Sequence, residues 1–438
     1  MSRYKPYPTY KESGAEWLGR IPEHWALKPF KACIDFQEGP GIMAADFREA
    51  GIPLLRVSGV QGRWASLDGC NFLDPIKVAK KWSHFRLNID DLLISASASM
   101  GTVCEVAADT EGAIAYTGLI RLRGRPGVMV KPYVRAQVVS SVFAIQIEFF
   151  KAGSTIQHFG PTHLSQMLVV CPPIDEQQSI TAYIDRETAR IDALVMKKNR
   201  FIELLREKRQ ALITHAVTKG LNPKVTMKNS GVGWLGEVPE HWETKRVAAM
   251  FREVIRPGQA DLPVLSISIH SGISDDELSA EERDRKVSLI EDREKYKRVC
   301  PGDLAYNMMR AWQGGFGAVA VDGLVSPAYV VAERRAEFCT EYVELLLRTP
   351  MAIEEMRRFS RGIADFRMRL YWEAFRDVVL LSPPVEEQQA IIETIKREGM
   401  RIDALVSKTE CSISLLKERR SALITAAVTG QIDLREAV

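Results

Sequence analysis

The chain has 438 residues, with 59 Lys+Arg against 56 Asp+Glu, a formal net charge of +3, and 46% hydrophobic residues. That length and apolar content support two or more packed domains, while so small a net charge excludes bulk electrostatics as an argument for a nucleic-acid partner. Seven cysteines without a C-x-x-C pair exclude a disulfide framework and a clustered zinc site, and no uncharged apolar run approaches the ~20 residues of a membrane span.

In chain order, Met1-Ser2-Arg3-Tyr4-Lys5 leads into no apolar core, so no secretory leader is expected and the expected location is cytoplasmic. Trp17-Leu18-Gly19 and Pro22-Glu23-His24-Trp25 follow, and a first insert covers about 26–171. There, short apolar runs alternate with turns and read as strands: Pro53 to Val57, Asp91 to Ser95 and Thr117 to Leu122, with helical stretches near 132–148. Pro172-Pro173 and Glu176-Gln177-Gln178 then open a helix from Ile174 to about Thr218, free of Gly and Pro. Proline suits its first turn, acids suit the positive end of its dipole, and Gly220 suits its exit.

The same frame then returns. Trp234-Leu235-Gly236 and Pro239-Glu240-His241-Trp242 repeat the entry, and Pro383-Pro384 with Glu387-Gln388-Gln389 repeat the helix start. Arg190 to Val195 is matched by Arg401 to Val406, and Ala211 to Thr214 by Ala422 to Thr425. Between them, about 243–382, lies a second insert of largely unrelated sequence, with strands expected at Pro263 to Ile267, Gly302 to Tyr306 and Ser326 to Val331 and a helix near 340–358. Each insert reads as one compact domain of a shared α/β (α+β) fold.

Along both helices apolar residues recur at three-four spacing. One seam is Ile180, Ile184, Ile191, Leu194, Phe201, Leu205 and Leu212; the other is Ile391, Ile395, Ile402, Leu405, Leu416 and Leu423. Even the interruptions agree, Glu187 with Glu398, Lys198 with Thr409 and Lys208 with Arg419. Matching seams favour mutual, antiparallel packing over two surface helices each lying on its own domain, and predict a pseudo-two-fold molecule. The expected division is 1–171 and 221–382 as globular domains, with 172–220 and 383–438 as the two helical segments.

Local charge is balanced, at 15 Lys+Arg against 12 acids in the first insert and 21 against 23 in the second, so any DNA contact must come from a local patch. The stretch 348–376 is one candidate, with seven Arg (348, 357, 358, 361, 367, 369, 376) against four acids. Arg and Gln can read guanine and adenine edges bidentately, which singles out Arg310, Trp312 and Gln313 in the Tyr306 to Gly315 loop. Its counterpart carries Ser97 and Ser99, and the loops before each Pro-Pro carry Gln157 and His158, then Arg361, Arg367 and Arg369; Arg56 completes the DNA-binding candidates. Taken alone, each loop reads first as an ordinary hairpin, with Trp312 in the core. Trp17, Trp25, Trp234 and Trp242 recur in the constant frame, which suits structural wedges better than base readers.

No P-loop, H-E-x-x-H or G-x-S-x-G motif occurs, and the seven His form no metal-spaced cluster. Ser326-Pro327-Ala328-Tyr329 has Ser where an amino-methyltransferase tetrad needs Asp or Asn, and reads as a strand entry. No catalytic, metal or cofactor residues are therefore assigned.

The paired Trp-Leu-Gly…Pro-x-His-Trp entries, the paired Pro-Pro-x-x-Glu-Gln-Gln starts, Arg-Ile-Asp-Ala-Leu, and the ends Ala216 to Leu221 and Val428 to Leu434 resemble the specificity subunit (HsdS) of type I restriction-modification systems along the whole chain. The resemblance implies two target recognition domains held apart by an antiparallel coiled coil, each reading one half of a bipartite site in double-stranded DNA. It implies docking of two methyltransferase subunits, joined by restriction subunits, with S-adenosylmethionine and ATP bound by those partners and no cofactor or chemistry on this chain. Ile184, Ile191, Leu194, Leu205, Leu212, Ile395, Ile402, Leu405, Leu416 and Leu423 would form the coiled coil. Two readings compete: a self-contained methyltransferase or nuclease, and a coiled-coil scaffold without DNA contact.

Overall fold

The computed structural model describes residues 5–89, 91–97, 100–151, 159–269, 271–277, 292–362 and 368–435. The chain divides into two compact units, Met1–Lys198 with Glu410–Val438 (unit 1) and Asn199–Thr409 (unit 2). Two long helices, Ile174–Lys219 and Val385–Val428, supply half of their length to each unit. At 1.5 Å per residue the first extends about 69 Å.

The helices pack together through one stripe that the repeat writes twice. On the first helix it comprises Ile184, Thr188, Ile191, Val195, Lys198, Ile202, Leu205, Leu212 and Ala216, all buried or half-buried. On the second it comprises Ile395, Gly399, Ile402, Val406, Thr409, Ile413, Leu416, Leu423 and Ala427. The steps alternate four and three as far as Leu205 and Leu416, the spacing of a coiled-coil seam, and then span seven to Leu212 and Leu423.

One row of the expected seam is displaced. Leu194 and Leu405 are 41% and 45% exposed, and Phe201 is exposed too. The second buried row lies four residues after Ile184 and Ile191, at Thr188 and Val195, and not three residues after them. Positions 187, 194, 201 and 208 therefore fall on the flank, which is why Glu187 and Lys208 are tolerated there.

The packing is antiparallel, as one ion pair shows in each unit. Arg420 Nε lies 3.0 Å from Asp192 Oδ1 in unit 1, and Arg209 Nη1 lies 2.8 Å from Asp403 Oδ1 in unit 2. Advancing from 192 to 209 on one helix goes back from 420 to 403 on the other. The two aspartates are those of the repeated Arg-Ile-Asp motif.

Each unit holds an antiparallel four-stranded sheet of the same order. In unit 1 it runs Ile34–Glu38, Leu119–Gly124, Leu92–Ser95, Val103–Glu105; in unit 2, Phe251–Glu253, Tyr329–Arg334, Leu304–Asn307, Phe316–Ala318. Unit 1 adds a second sheet containing the strand Ile52–Leu55, whereas the run expected at Pro263 to Ile267 pairs only at Ile267–Ser268 and through a lone bridge from Val264 to Leu324. The expected helices are each broken in two, at Lys131–Val138 and Ser141–Lys151, and at Thr340–Leu347 and Pro350–Phe359. The second break is a fresh start: the Thr349 side chain caps Ala352 N, and Pro350 occupies the first turn.

The frame motifs meet in space to clasp each domain. Glu176 Oε1 lies 2.7 Å from His24 Nε2, and its Oε2 accepts from the indole Nε1 of Trp25 at 2.9 Å. Glu387 repeats this with His241 at 2.5 Å and Trp242 at 2.9 Å. The next residue is equally engaged. Gln177 accepts from Val130 N and donates to the Val128 and Pro172 carbonyls, while Gln388 accepts from Cys339 N and donates to the Pro383 carbonyl. Trp25 and Trp242 are fully buried, as structural wedges should be.

The far end of the other helix is held as well. The Tyr133 hydroxyl donates to the Val428 carbonyl in unit 1 and the Tyr342 hydroxyl to the Val217 carbonyl in unit 2, both phenols pushed well up by burial and so kept as neutral donors. Gly430 ends that helix at φ +71°, where a Cβ would meet the Pro22 ring at 2.3 Å.

Ile191→Ala and Ile402→Ala are each expected to lower the unfolding free energy by roughly 2–4 kcal/mol, whereas Leu194→Ala and Leu405→Ala should cost less than about 1 kcal/mol. Urea unfolding of the four variants checks this, and equal losses in both pairs would put the seam on the wrong rows.

Candidate nucleic-acid interface

In unit 2 the Tyr306 to Gly315 loop joins the strands Leu304–Asn307 and Phe316–Ala318. Asn307 Oδ1 accepts from Met309 N at 3.0 Å, Ala311–Gln313 form a single 3-10 turn, and Gly314 turns the chain at φ +87°. A Cβ on Gly314 would come within 3.3 Å of Ile353, and one on Gly315 would press on the Arg310 backbone, so the turn is built for glycine.

Of its candidate side chains, Gln313 is exposed and Arg310 and Trp312 are half-buried. The Trp312 indole Nε1 donates to the Met309 carbonyl at 3.0 Å, and the Arg357 guanidinium stands over its ring at 5.6 Å. Trp312 is thus held at the surface and is not a core residue. Arg310 acts electrostatically on Tyr329, whose phenol is pushed up by burial against the lowering effects of the Asn307 hydrogen bond and the Arg310 charge. Tyr306, by contrast, is fully buried, tilted against Phe316 at 5.2 Å and edge-on to Phe375 at 5.0 Å, and belongs to the core.

The second loop adjoins the first. Arg361 and Arg369 pair through reciprocal backbone hydrogen bonds, and both are exposed. Leu370 N then donates to the Met308 carbonyl at 2.9 Å. Arg310, Trp312, Gln313, Arg361 and Arg369 are thereby gathered around one site, with Arg357 added. Sequence reading placed Arg357 in a charge run without assigning it a role. The available signal was helical: Ile353 packs on Gly314, and Arg357, one turn later, covers Trp312. Arg348 is used internally, 2.9 Å from the buried Glu344, whose other oxygen accepts from Ala318 N. Arg367 lies outside the described residues.

Unit 1 builds the same junction from different side chains. Phe159 N donates to the Ala96 carbonyl at 3.1 Å, the counterpart of Leu370 to Met308. Ser97 is half-buried beside Gly118, and Arg56 is exposed with Nη1 donating to Asn71 Oδ1 at 3.2 Å. Ser99, Gln157 and His158 lie outside the described residues. Other cations of this unit serve the fold. Glu105 is surrounded by Lys131, Arg135 and Arg63 at 3.0, 3.1 and 3.4 Å, and Asp91 holds Arg123.

Among the described residues no group of three or more His, Cys, Asp or Glu side chains is placed to hold a metal ion, and no helix is long and apolar enough to cross a membrane. Ser326 to Tyr329 is a strand entry, with Ala328 N donating to Ser326 Oγ.

No protein-family model matches the chain. Among curated proteins it is 20% identical over 445 residues to the EcoKI specificity subunit of Escherichia coli (strain K12), covering 94% of this chain and 90% of that one. It is 23% identical over 232 residues to the putative MjaX specificity subunit of Methanocaldococcus jannaschii, covering 52% of each. Among solved structures, the HsdS subunit from Thermoanaerobacter tengcongensis superposes with a TM-score of 0.53 at 14% identity, over 94% of this chain and 98% of that one. A chain from a study of type I R-M complex assembly and conformational transition gives 0.66 at 13% identity, over 94% and 99%.

Along nearly its whole length the chain is similar to type I specificity subunits. Its fold, mixed helix-strand domains joined by long helices, is that of these solved structures.

Tyr306 is core support for this loop. No group among the described residues accepts the buried Tyr306 hydroxyl proton. Tyr306→Phe is therefore expected to leave the unfolding midpoint unchanged or raise stability by up to about 1 kcal/mol, since a buried orphan hydroxyl only costs desolvation. A clear loss of stability in thermal unfolding would show that the hydroxyl is paired.

Proposed function

We propose that the two inserts, 1–171 and 221–382, are target recognition domains that each read one half of a bipartite, asymmetric sequence in double-stranded DNA, while the helical segments 172–220 and 383–438 set the unread spacer and dock two methyltransferase subunits. The observation that carries this is selective repetition. The clasps, the helix stripe and the backbone junction under the loops occur twice, whereas the side chains on those loops differ between the units. Equal scaffolds with unequal readers suit a target whose halves differ. Phosphate contacts supply affinity without sequence information, and a few base-edge contacts supply specificity, so the readers can change while the frame stays.

The docking role rests on the flank of the helix pair. Leu194 and Leu405 are exposed at equivalent positions, and so are Leu204 and Leu415. Apolar side chains repeated at one place on both helices suit two copies of one partner. Restriction subunits would join the same assembly, S-adenosylmethionine and ATP would be bound by those partners, and the whole would work in the cytoplasm.

Leu194→Asp with Leu405→Asp is expected to abolish co-purification with the methyltransferase subunits while the unfolding midpoint of the chain alone shifts little. Normal assembly of this variant would remove the flank from the interface. Arg310→Ala or Gln313→Ala is expected to weaken discrimination at one half-site by roughly 1–3 kcal/mol per lost bidentate contact. Gel shifts of the assembled complex on duplexes altered in either half, at several salt concentrations, check this; no shift on any duplex bearing the host's methylated motif would overturn the DNA-reading proposal.

A further inference from the structure

The internal repeat provides its own comparison, and one position fails it. In unit 1 the clasp is sealed by Tyr7. Its ring lies edge-on to Trp25 at 5.3 Å and beside His24 at 5.8 Å, its hydroxyl donates to Glu176 Oε2 at 3.2 Å, and Arg435 stands over its face at 5.0 Å. Only 13% of the Glu176 side chain remains exposed. The strand registers match across the repeat, Tyr10 opposite Pro22 and Met227 opposite Pro239, so the residue equivalent to Tyr7 is Lys224.

Lys224 is exposed, and where unit 1 has a phenol ring unit 2 has a cavity of about 200 Å³. Its lining includes the corresponding parts of the clasp, Pro239, His241 and Glu387, and also Asn222 and Val225 from either side of Lys224. The Glu387 side chain is 41% exposed, three times as open as Glu176. Its Oε2 takes the Trp242 indole as Glu176 takes that of Trp25, and the phenol that Glu176 also accepts has no counterpart among the described residues. A cavity of ~150 Å³ already admits a benzene ring, so the space suffices for one aromatic side chain.

We infer that this slot in unit 2 is a binding site for a phenol ring, the side chain of a tyrosine carried by a polypeptide that assembles with this chain, with its hydroxyl donating to Glu387 Oε2 and its ring seated against Pro239 and His241. The polypeptide source follows from the template, since the occupant in unit 1 is itself a tyrosine delivered on an extended segment. Identifying the donor as a methyltransferase subunit rests on the function proposed above.

The experiment titrates p-cresol, the tyrosine side-chain analogue, into the full-length chain by calorimetry. One site is expected, with toluene binding roughly tenfold more weakly because it cannot donate to the carboxylate. Lys224→Tyr, which places the unit 1 plug in unit 2, is expected to abolish binding, and Tyr7→Ala to add a second site. If Tyr7→Ala fails to fold, the Lys224→Tyr comparison remains decisive. Absence of saturable binding, or undiminished binding by Lys224→Tyr, overturns the slot; equal affinity for toluene overturns the carboxylate contact. With the methyltransferase subunits, Lys224→Tyr is expected to weaken assembly at least tenfold. Assembly equal to that of the unaltered chain overturns the polypeptide occupant. Should the unaltered chain itself not assemble, the function proposed above fails, while the p-cresol stoichiometries still decide the slot.

Discussion

One carboxylate at the start of each long helix holds the rest of the structure in place. Glu176 and Glu387 sit in the first turn, where the helix dipole favours negative charge, and each spends its two oxygens on an imidazole and a buried indole from an entry segment some 150 residues earlier. Taking a carboxylate and an indole N–H out of water is favourable only when they satisfy each other. The entry hairpin and the helix start are therefore fixed together or not at all. The adjoining glutamine extends the hold to the domain, because its amide closes backbone groups that would otherwise be buried unpaired.

The antiparallel helix pair follows from where the second hold falls. Unit 1 grips residue 176 on one helix and residue 428 on the other; unit 2 grips 387 and 217. A domain that touches the beginning of one long helix and the end of another can exist only if those ends lie side by side. The Asp192–Arg420 and Asp403–Arg209 pairs then mark register more than they add stability, since exposed ion pairs contribute little. Stability comes from the apolar stripe between them.

Much of this was legible in the sequence because it was written twice. The helix limits, the equivalence of the domains, the structural role of the tryptophans and the proximity of matching seams all follow from repetition with helical spacing. The choice of seam row did not follow. Leu194 and Leu405 are as apolar as the buried residues, and Thr188 is polar, so composition pointed to the wrong flank. What decides the row is which residues face the partner helix, a tertiary fact that a three-or-four spacing leaves open. The charge counts were uninformative for a related reason. Arg123, Arg135 and Arg256 are consumed by Asp91, Glu105 and Asp303 within the fold, and a count cannot separate such cations from those facing a ligand. Nor could it foresee that the loop after the third sheet strand and the loop before Pro-Pro adjoin.

That adjacency explains how specificity can diverge on a fixed frame. The bond joining the loops runs from backbone amide to backbone carbonyl, Phe159 to Ala96 and Leu370 to Met308, and uses no side chain. A serine-rich turn and one carrying Arg310, Trp312 and Gln313 are therefore held at the same place by the same contact. Substitutions at the exposed positions change what is presented without disturbing how it is held. Glycine sets the limit, because Gly314 supplies a left-handed turn under Ile353 that a side chain cannot adopt without strain. A reader of this construction can change its chemistry freely at Gln313, less freely at Trp312, which is tied to Met309 and covered by Arg357, and hardly at all at the turn that aims them.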